Sequence, residues 1–338
     1  LKPPRALPFR SLFSKILEER FSFSHALLIA SNARRRHFAP DIVISLERLG
    51  PPFTNPYGRL SPVRRRFLQV DVFGEHPYQG NPLAVVVDAE GLTTSEMQAF
   101  AHWTNLSETA FLLSPTHAEA DYRVRIFTPT EELPFAGHPT LGSASTWLTT
   151  QDHKRTGADL VQECEVGLVE IRHRDDVFSF KAPPLIRSGD ADEHIVAEAA
   201  EALAIHRSSI IDAEWIDNGP GWLGLLLKSA DEVLALTSPT THLSLGVAGA
   251  HPPGSPYAYE VRAFYSSNGI TIEDPVTGSL NASLAQWMIA SGRFSAPYRV
   301  CQGRAVGRSG FVSVEVDEGG DVWVGGNVAV CVSGEVDL

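Results

Sequence analysis

Apolar and polar residues alternate along the chain from position 67 onwards, whereas residues 1–66 show no sustained strand or helix period beyond a short stretch around 12–20. Residues 67–73 alternate as a strand does, and the apolar run at 83–87 is typical of a second strand. Short β-branched segments bounded by glycine or polar turns predict further strands at 109–113, 122–127, 222–227, 258–264, 310–316 and 322–331. The pattern therefore predicts a protein in which strands greatly outnumber helices.

Helix-start signals interrupt this series of strands. Thr93 and Glu96 have the spacing of a capping box, which predicts a helix from that point to a stop near Asn105. Another helix is predicted over residues 193–204, shortly after a proline-containing break at residues 182–185. We interpret this break as a linker between two domains.

The composition of the sequence also changes between residues 66 and 67. Residues 1–66 are rich in arginine and serine, and we interpret them as a disordered or targeting leader, although their acidic residues weigh against an organelle transit peptide. The rest is predicted to form an N-terminal domain over 67–183 and a C-terminal domain over 184–338, whose final strand can pack on the first domain. We predict a cytoplasmic protein, with organelle import through the leader as the alternative.

Charge and cysteine content exclude several classes of function. The chain has 28 basic and 40 acidic residues, and residues 1–66 hold 13 of the basic ones against 4 acidic ones, so the remainder carries a net charge of −21. A body this acidic repels phosphate backbones, which argues against a nucleic-acid partner. No segment approaches the roughly 20 apolar residues of a membrane-spanning helix. Cys164, Cys301 and Cys331 lack the spacing of metal ligands, so we predict reduced thiols and no metal site.

An internal repeat is the most informative feature of the sequence. Arg125-Ile126-Phe127 is followed by the hexapeptide at 138–143, and Arg262-Ala263-Phe264 is followed at nearly the same spacing by the hexapeptide at 274–279. Each hexapeptide leads into a predicted helix of small residues that contains a tryptophan, the helices being 144–148 and 280–289. We interpret the two copies as an ancient duplication.

The repeat predicts two helix N-termini that face one cavity, at Gly142-Ser143 and at Gly278-Ser279. Unpaired N–H groups and the positive ends of the helix dipoles would hold an anion there, most simply a substrate carboxylate. Asp274-Pro275 alone could be explained as helix capping. Two matched copies favour a ligand site in a cleft between the halves.

Six ordered motifs then carry a resemblance to a known family. They are residues 71–73 (DVF), 80–85 (GNPLAV), 105–111 (NLSETAF), 135–140 (FAGHPT), 273–279 (EDPVTGS) and 302–304 (QGR). Together they resemble the phenazine-biosynthesis PhzF-like family over essentially the whole chain from residue 67. The resemblance implies an α+β fold of the diaminopimelate-epimerase type: two similar domains, each a curved mixed sheet or barrel wrapped around a central helix. It also implies a homodimer and no cofactor.

The resemblance further assigns candidate site residues. The glutamate of the Asn-x-Ser-Glu motif is the expected general acid/base, and here it is Glu108. His138 and Asp274 fall on positions expected to assist proton movement or to bind polar groups of the substrate. The expected substrate-binding residues are Asn81, Ser107, Gly137, Gly278 and Ser279.

The function implied by these residues is a cofactor-independent isomerase that performs a 1,3-hydrogen shift on a small carboxylate-bearing metabolite. One alternative is a racemase or epimerase of the same fold; the cysteines lie outside both repeat motifs, so a thiol pair is disfavoured, but a Glu108/Asp274 pair stays open. Another alternative is a non-catalytic member that binds a metabolite or a protein. Phe264-Tyr265-Ser266 departs from the family pattern, and this departure leaves the substrate unidentified.

Overall fold

The structure is a computed structural model that describes residues 62–151, 159–267 and 270–338. All of these residues belong to one compact unit, Tyr57–Leu338. The predicted leader lies outside the described residues up to position 61. Among the described helices, none is long and apolar enough to cross a bilayer.

The described elements are mostly strands, in agreement with the sequence pattern. The helices are α1 (Thr94–Thr104), α2 (Gly137–Thr150), α3 (Glu193–Ala202), α4 (Ala230–Leu234) and α5 (Gly278–Ala290). The strands of the first half, up to residue 183, are β1 (Arg64–Val72), β2 (Asn81–Val86), β3 (Glu108–Leu113), β4 (Tyr122–Phe127), β5 (Glu132–Leu133), β6 (Leu160–Cys164), β7 (Gly167–Arg174) and β8 (Val177–Lys181). Those of the second half are β9 (Arg187–Asp190), β10 (Asp212–Asp217), β11 (Trp222–Leu227), β12 (Ser244–Ala250), β13 (Tyr259–Ser267), β14 (Ile270–Asp274), β15 (Tyr298–Gln302), β16 (Gly310–Val316) and β17 (Val322–Asp337).

The strands of the first half close into a barrel around a helix with the help of β17 from the second half. The ring runs through β1, β2, β3, β4, β6, β7, β8 and β17, and β17 returns to β1. Helix α2 packs against β1, β2, β3, β8 and β17, and its first ten residues are buried. The small side chains of α2 let the surrounding sheet approach it closely, so the curved mixed sheet around a central helix is confirmed.

The second half repeats this arrangement with an open series of strands. Strands β9 to β13 pair in order, β13 continues to β15, and β15 continues through β16 to β17. Helix α5 packs against β10 and β17. Because β17 pairs with strands of both halves, the predicted domain boundary at residues 183 and 184 stays a prediction.

The start of the fold corrects the predicted end of the leader. Strand β1 begins at Arg64, which is paired with Asp337 of β17, and the Val63 N–H donates to the Leu338 carbonyl at 2.7 Å. Arg65 is buried, and its guanidinium donates to the carbonyls of Asp88 and Glu90. The arginine triplet resembles a charged leader in the sequence, but its strand partner lies at the opposite end of the chain.

Helix α1 has the predicted termini. The Glu96 N–H donates to the Thr93 hydroxyl, and the Thr93 N–H donates in return to the Glu96 carboxylate at 2.7 Å. The helix ends at Asn105, whose left-handed backbone (φ 54°) is an accepted C-cap conformation for asparagine. The capping box and the stop are therefore confirmed.

The register of the internal repeat differs from the predicted one. Helix α2 begins at Gly137, not at 144, so residues 138–143 lie inside the helix. The matching segments are residues 132–137 (ELPFAG) and 273–278 (EDPVTG), and each glutamate forms an ion pair of 2.6 Å with the arginine of the preceding strand. In the corrected register Asp274 corresponds to Leu133, not to His138.

Candidate active site

The predicted acid/base, Glu108, stands where β3 begins. Asn105 ends α1, and the chain needs only two further residues to enter β3, which runs parallel to β2. Glu108 is paired with Leu83 in that ladder, and Asn81 is the first residue of β2. Parallel strands begin at the same edge of a sheet, so the ladder brings Asn81 and Glu108 to one end of the barrel.

The other two candidate catalytic residues come from the repeated segments. His138 is the second residue of α2, and Asp274 is the last residue of β14, four positions before α5 begins at Gly278. Each stands next to a helix N-terminus. The two therefore arrive from different halves of the molecule.

Side-chain contacts bring the four residues into one cluster. The Glu108 Oε2 and His138 Nε2 atoms lie 3.3 Å apart, although their orientation does not make a hydrogen bond. The Asn81 Nδ2 atom donates to Asp274 Oδ1 at 2.9 Å and to the Val276 carbonyl at 3.0 Å, and it lies 3.4 Å from His138 Nδ1. Asn81 thus links the two halves at the cluster.

The two helix N-termini meet beside this cluster, but not at the predicted residues. A Cβ atom on Gly278 would lie 2.9 Å from the Gly137 Cα atom and 3.0 Å from the His138 backbone nitrogen, which is too close for any side chain. Gly142, which was predicted to face Gly278, lies within α2 instead, where an added Cβ would contact Leu83 at 2.5 Å. The prediction for Gly142-Ser143 is therefore wrong, and Gly137 takes that place.

Neither of these helices has a side-chain cap. Ala136 and Thr277 occupy the N-cap positions of α2 and α5, and neither side chain caps its helix by a hydrogen bond. The backbone N–H groups of a first helical turn lack intrahelical acceptors, and the positive ends of the two dipoles add to their attraction for an anion. Such groups can hold a carboxylate beside the point where the two helices meet.

Burial sets the protonation state of the cluster. The side chains of His138 and Glu108 are 5% and 16% exposed. Burial, and secondarily the charge of Asp274, raises the pKa of Glu108 well above its ordinary value. Burial lowers the pKa of His138 to about 3. Burial also raises the pKa of Asp274 to about 6, against the opposing effect of hydrogen bonds from Thr277 and Asn81. At neutral pH the imidazole is therefore neutral, and Glu108 has an accessible protonated form.

The two predicted serines have different surroundings. Ser279 is the second residue of α5; its hydroxyl oxygen accepts a 3.1 Å bond from the Trp222 indole, and its carbonyl accepts one from the Asn218 amide at 2.9 Å. Ser107 is exposed, and among the described contacts none joins it to the cluster. Substrate binding by Ser107 stays a prediction.

For several residues of this region no role was predicted from the sequence. Burial and the charges of Glu131 and Glu108 raise the pKa of Tyr265, which lies against Trp222 with ring centroids 6.4 Å apart. Gln302 bonds to the Asp274 backbone. The departure from the family pattern at Tyr265 and the QGR motif at Gln302 were signals in the sequence that these two residues have a role. Trp222 gave no such signal, because it reads as one more apolar residue of a buried strand.

A group of potential metal ligands lies elsewhere. His251, Glu260 and Cys301 have ligand atoms within 4.8 Å of one another. The Arg304 guanidinium lies 3.5 Å from the Glu260 carboxylate and 3.4 Å from the Cys301 sulfur. The positive charge of Arg304 therefore already stands beside two of the three potential ligands. Successive strand residues point to opposite faces, so Cys301 faces away from Gln302 and from the cluster.

The chain is similar in sequence to known proteins. It matches the family model described as phenazine biosynthesis-like protein over residues 70–335. It is 35% identical over 291 residues to antisense-enhancing sequence 1 of Schizosaccharomyces pombe, covering 80% of this chain and 97% of that protein. It is 33% identical over 249 residues to the trans-2,3-dihydro-3-hydroxyanthranilate isomerase of Pseudomonas fluorescens, covering 72% and 87%.

A solved structure supports the fold. The Bacillus anthracis phenazine biosynthesis protein of the PhzF family superposes with a TM-score of 0.70 at 21% sequence identity, over 82% of this chain and 100% of that chain. At this identity the likeness speaks for the fold alone. It agrees with the α+β architecture of a barrel around a central helix.

Proposed function

The chain belongs to the phenazine biosynthesis-like protein family and is an isomerase or epimerase, and we propose that it catalyses a 1,3-hydrogen shift on a small carboxylate-bearing metabolite. The proposed reaction uses Glu108 as general acid/base and needs no cofactor. The homodimer implied by the resemblance belongs to the same proposal. A mass measurement in solution tests it.

The observation that carries this proposal is the environment of Glu108. Its carboxyl group is mostly buried at the junction of the two halves, next to Asp274 and His138, and its pKa is raised. A general acid/base is most effective when its pKa lies near the working pH, because both protonation states are then accessible. An ordinary surface glutamate is almost fully ionised at neutral pH. Glu108 can therefore both accept a proton from carbon and return it.

The surrounding groups supply binding and charge stabilisation. The first turns of α2 and α5 meet at Gly137 and Gly278, where their N–H groups can bind the substrate carboxylate. When a proton leaves carbon, the electrons move toward that carboxylate, and fixed N–H dipoles stabilise the developing charge. His138 is neutral, so it acts here as a hydrogen-bonding group rather than as a cation.

The balance of the step is simple. Ionised Glu108 takes the proton from one carbon, and the C–H electrons form a new double bond to the middle carbon. The electron pair of the old double bond moves to the far carbon and is shared with the substrate carboxylate. Protonated Glu108 then gives the proton to the carbon at the far end of the three-carbon unit. One base on one face is enough, and no electrons enter or leave the molecule.

Epimerisation is the second candidate, because Glu108 and Asp274 come from different halves and interact. Inversion at one carbon needs an acid and a base on opposite faces. A raised pKa at both carboxyl groups allows one of them to be protonated while the other is ionised.

Deuterium incorporation separates the two reactions. The protein is incubated in heavy water with a panel of unsaturated amino and hydroxy acids, and the products are examined by NMR. A 1,3-shift moves the double bond, and it places deuterium on the carbon that gains hydrogen whenever the proton on Glu108 exchanges with solvent before it is returned. Epimerisation places it on the carbon that lost hydrogen, with inverted configuration. Label with inversion and no movement of the double bond would overturn the proposed isomerisation.

A further inference from the structure

Gln302 is a buried side chain beneath the Asp274 segment. It is the last residue of β15 and only 1% exposed. Its amide contacts four groups: the Asp274 carbonyl at 3.1 Å, the Thr277 hydroxyl at 2.9 Å, the Thr277 N–H at 3.1 Å and the Asn281 side-chain amide at 2.7 Å. All four belong to the segment that carries Asp274 into α5.

The contacts determine which end of the Gln302 amide donates. The Thr277 backbone nitrogen can only donate, so the atom that it contacts must be the Gln302 carbonyl oxygen. The Asn281 Nδ2 atom also donates to the Thr277 carbonyl at 2.8 Å, which identifies it as a donor to the same oxygen. The Gln302 nitrogen therefore points at the Asp274 carbonyl and at the Thr277 hydroxyl.

This orientation determines the direction of the Thr277 hydroxyl. The Gln302 nitrogen has no lone pair to accept with, so the Thr277 oxygen accepts from it. The hydroxyl proton must then point elsewhere, and the Asp274 Oδ2 atom lies 2.5 Å from the Thr277 oxygen. The hydroxyl donates to that carboxylate.

We propose that Gln302 is a positioning residue that directs the Thr277 hydroxyl proton onto the Asp274 carboxylate and so favours the ionised form of Asp274. The inference rests on the proposed function, in which the charge of Asp274 acts beside the acid/base Glu108. A hydrogen bond to the charged form of a carboxyl group lowers its pKa. The relay therefore opposes the effect of burial on Asp274, and the resulting charge acts in turn on Glu108.

The other titratable groups at Asp274 come from two elements. Glu108 approaches from β3, and His138 approaches from α2 through Asn81. Glu273, the neighbour of Asp274 on β14, is turned away and forms an ion pair with Arg262. A shift in Asp274 caused by the relay must therefore be measured at Asp274 itself.

The test is a pH titration of the carboxyl carbon of Asp274 by NMR, in full-length protein labelled with ¹³C-aspartate. The Asp274→Asn variant identifies the signal, because that signal disappears. The readout needs no substrate, so it stays valid whether or not the proposed reaction is found. Loss of the proposed function would appear in the deuterium assay and leave this titration unchanged.

Thr277→Val removes the hydroxyl at nearly constant volume. It should raise the pKa of Asp274 by about one unit, which is about tenfold in proton affinity. Gln302→Glu keeps the oxygen that accepts from Thr277 and Asn281 and replaces only the donating nitrogen. It should raise the same pKa by more, because it removes the relay and adds a charge.

The double variant separates these two contributions. In the Thr277→Val background only the added charge remains, so Gln302→Glu should shift the pKa less than it does in the wild-type background. Gln162→Glu is the matched control: Gln162 is equally buried, but it bonds to Tyr122 and Thr140. It should leave the titration of Asp274 unchanged. An unaltered pKa in Thr277→Val, or strictly additive shifts in the double variant, would overturn the relay.

Discussion

The two repeated segments share a scaffold but differ in chemistry. In the first, the Arg125–Glu132 ion pair precedes a proline and a glycine that starts α2; in the second, Arg262–Glu273 precedes the same elements of α5. The position after the glutamate is Leu133 in the first half and Asp274 in the second. Both segments thus keep the groups that build a helix N-terminus, whereas the carboxyl groups of the site are placed asymmetrically.

The asymmetry explains why neither half carries the candidate site by itself. The second-half strand β12 begins with Ser244 where β3 of the first half begins with Glu108. Each half therefore contributes one carboxyl group, and burial at the junction raises the pKa of both. Substitutions at the residues of either half test this division.

Loss of proton transfer by Glu108 should have the largest effect on turnover. Glu108→Gln preserves size and polarity but cannot exchange a proton, so turnover should fall by about 100-fold or more while the protein stays folded. The measurement is the rate at which the double bond moves, followed by NMR, with thermal unfolding as the check of folding. Glu131→Gln is the control, since Glu131 is an exposed carboxylate whose charge also reaches Tyr265. Near-normal turnover in Glu108→Gln would move the acid/base to Asp274 or His138.

Separation of the two helix N-termini should reduce both stability and activity. In Gly278→Ala the new Cβ meets the backbone of Gly137 and His138, which cannot move like a flexible side chain, so we expect a loss of about 1–3 kcal/mol in the free energy of unfolding. Denaturant unfolding measures the loss. Gly334→Ala is the control, because a Cβ there meets nothing within 4 Å. Equal stability of the two variants would contradict the close approach of the helices.

Asp274 should leave a signature in the pH dependence of stability. Its folded pKa, about 6, lies above its ordinary value, so the folded state binds this proton more tightly than the unfolded state does. The stabilisation is complete below the unfolded pKa of about 3.9 and is lost as the pH rises through about 6. The melting temperature of the wild type relative to Asp274→Asn should therefore fall between pH 4 and pH 7. A difference that is constant over this interval would show that Asp274 titrates normally.

The smallest effect should come from the tryptophan behind Ser279. The Trp222 indole donates to the Ser279 hydroxyl oxygen, so the hydroxyl proton of Ser279 is free to bond to a substrate carboxylate. Trp222→Phe removes one hydrogen bond of about 1 kcal/mol, so KM should rise about fivefold with little change in kcat. Trp287→Phe is the control, since the Trp287 indole nitrogen has no partner among the described residues. Equal KM values for the two variants would remove Ser279 from the binding site.

Local sequence signals predicted much of the fold. The capping box of Thr93 and Glu96 and the stop at Asn105 were readable because their groups are neighbours along the chain. The strand pattern and the family motifs were readable for the same reason, and the motifs identified the segments that meet at the site. The boundaries were predicted less well: α2 begins seven residues before the predicted 144, because a buried first turn of small residues has no apolar period.

The sequence by itself therefore determined many of the elements, the family and the residue types available for chemistry. Only the tertiary structure decided that Gly137, rather than Gly142, meets Gly278, and that Gln302 supports Asp274 through Thr277. It also decided that the arginine triplet at 64–66 is a strand paired with the end of the chain. The physical reason is the same in each case: these contacts join segments far apart in the chain, and burial, which shifts the pKa values, exists only when the segments meet.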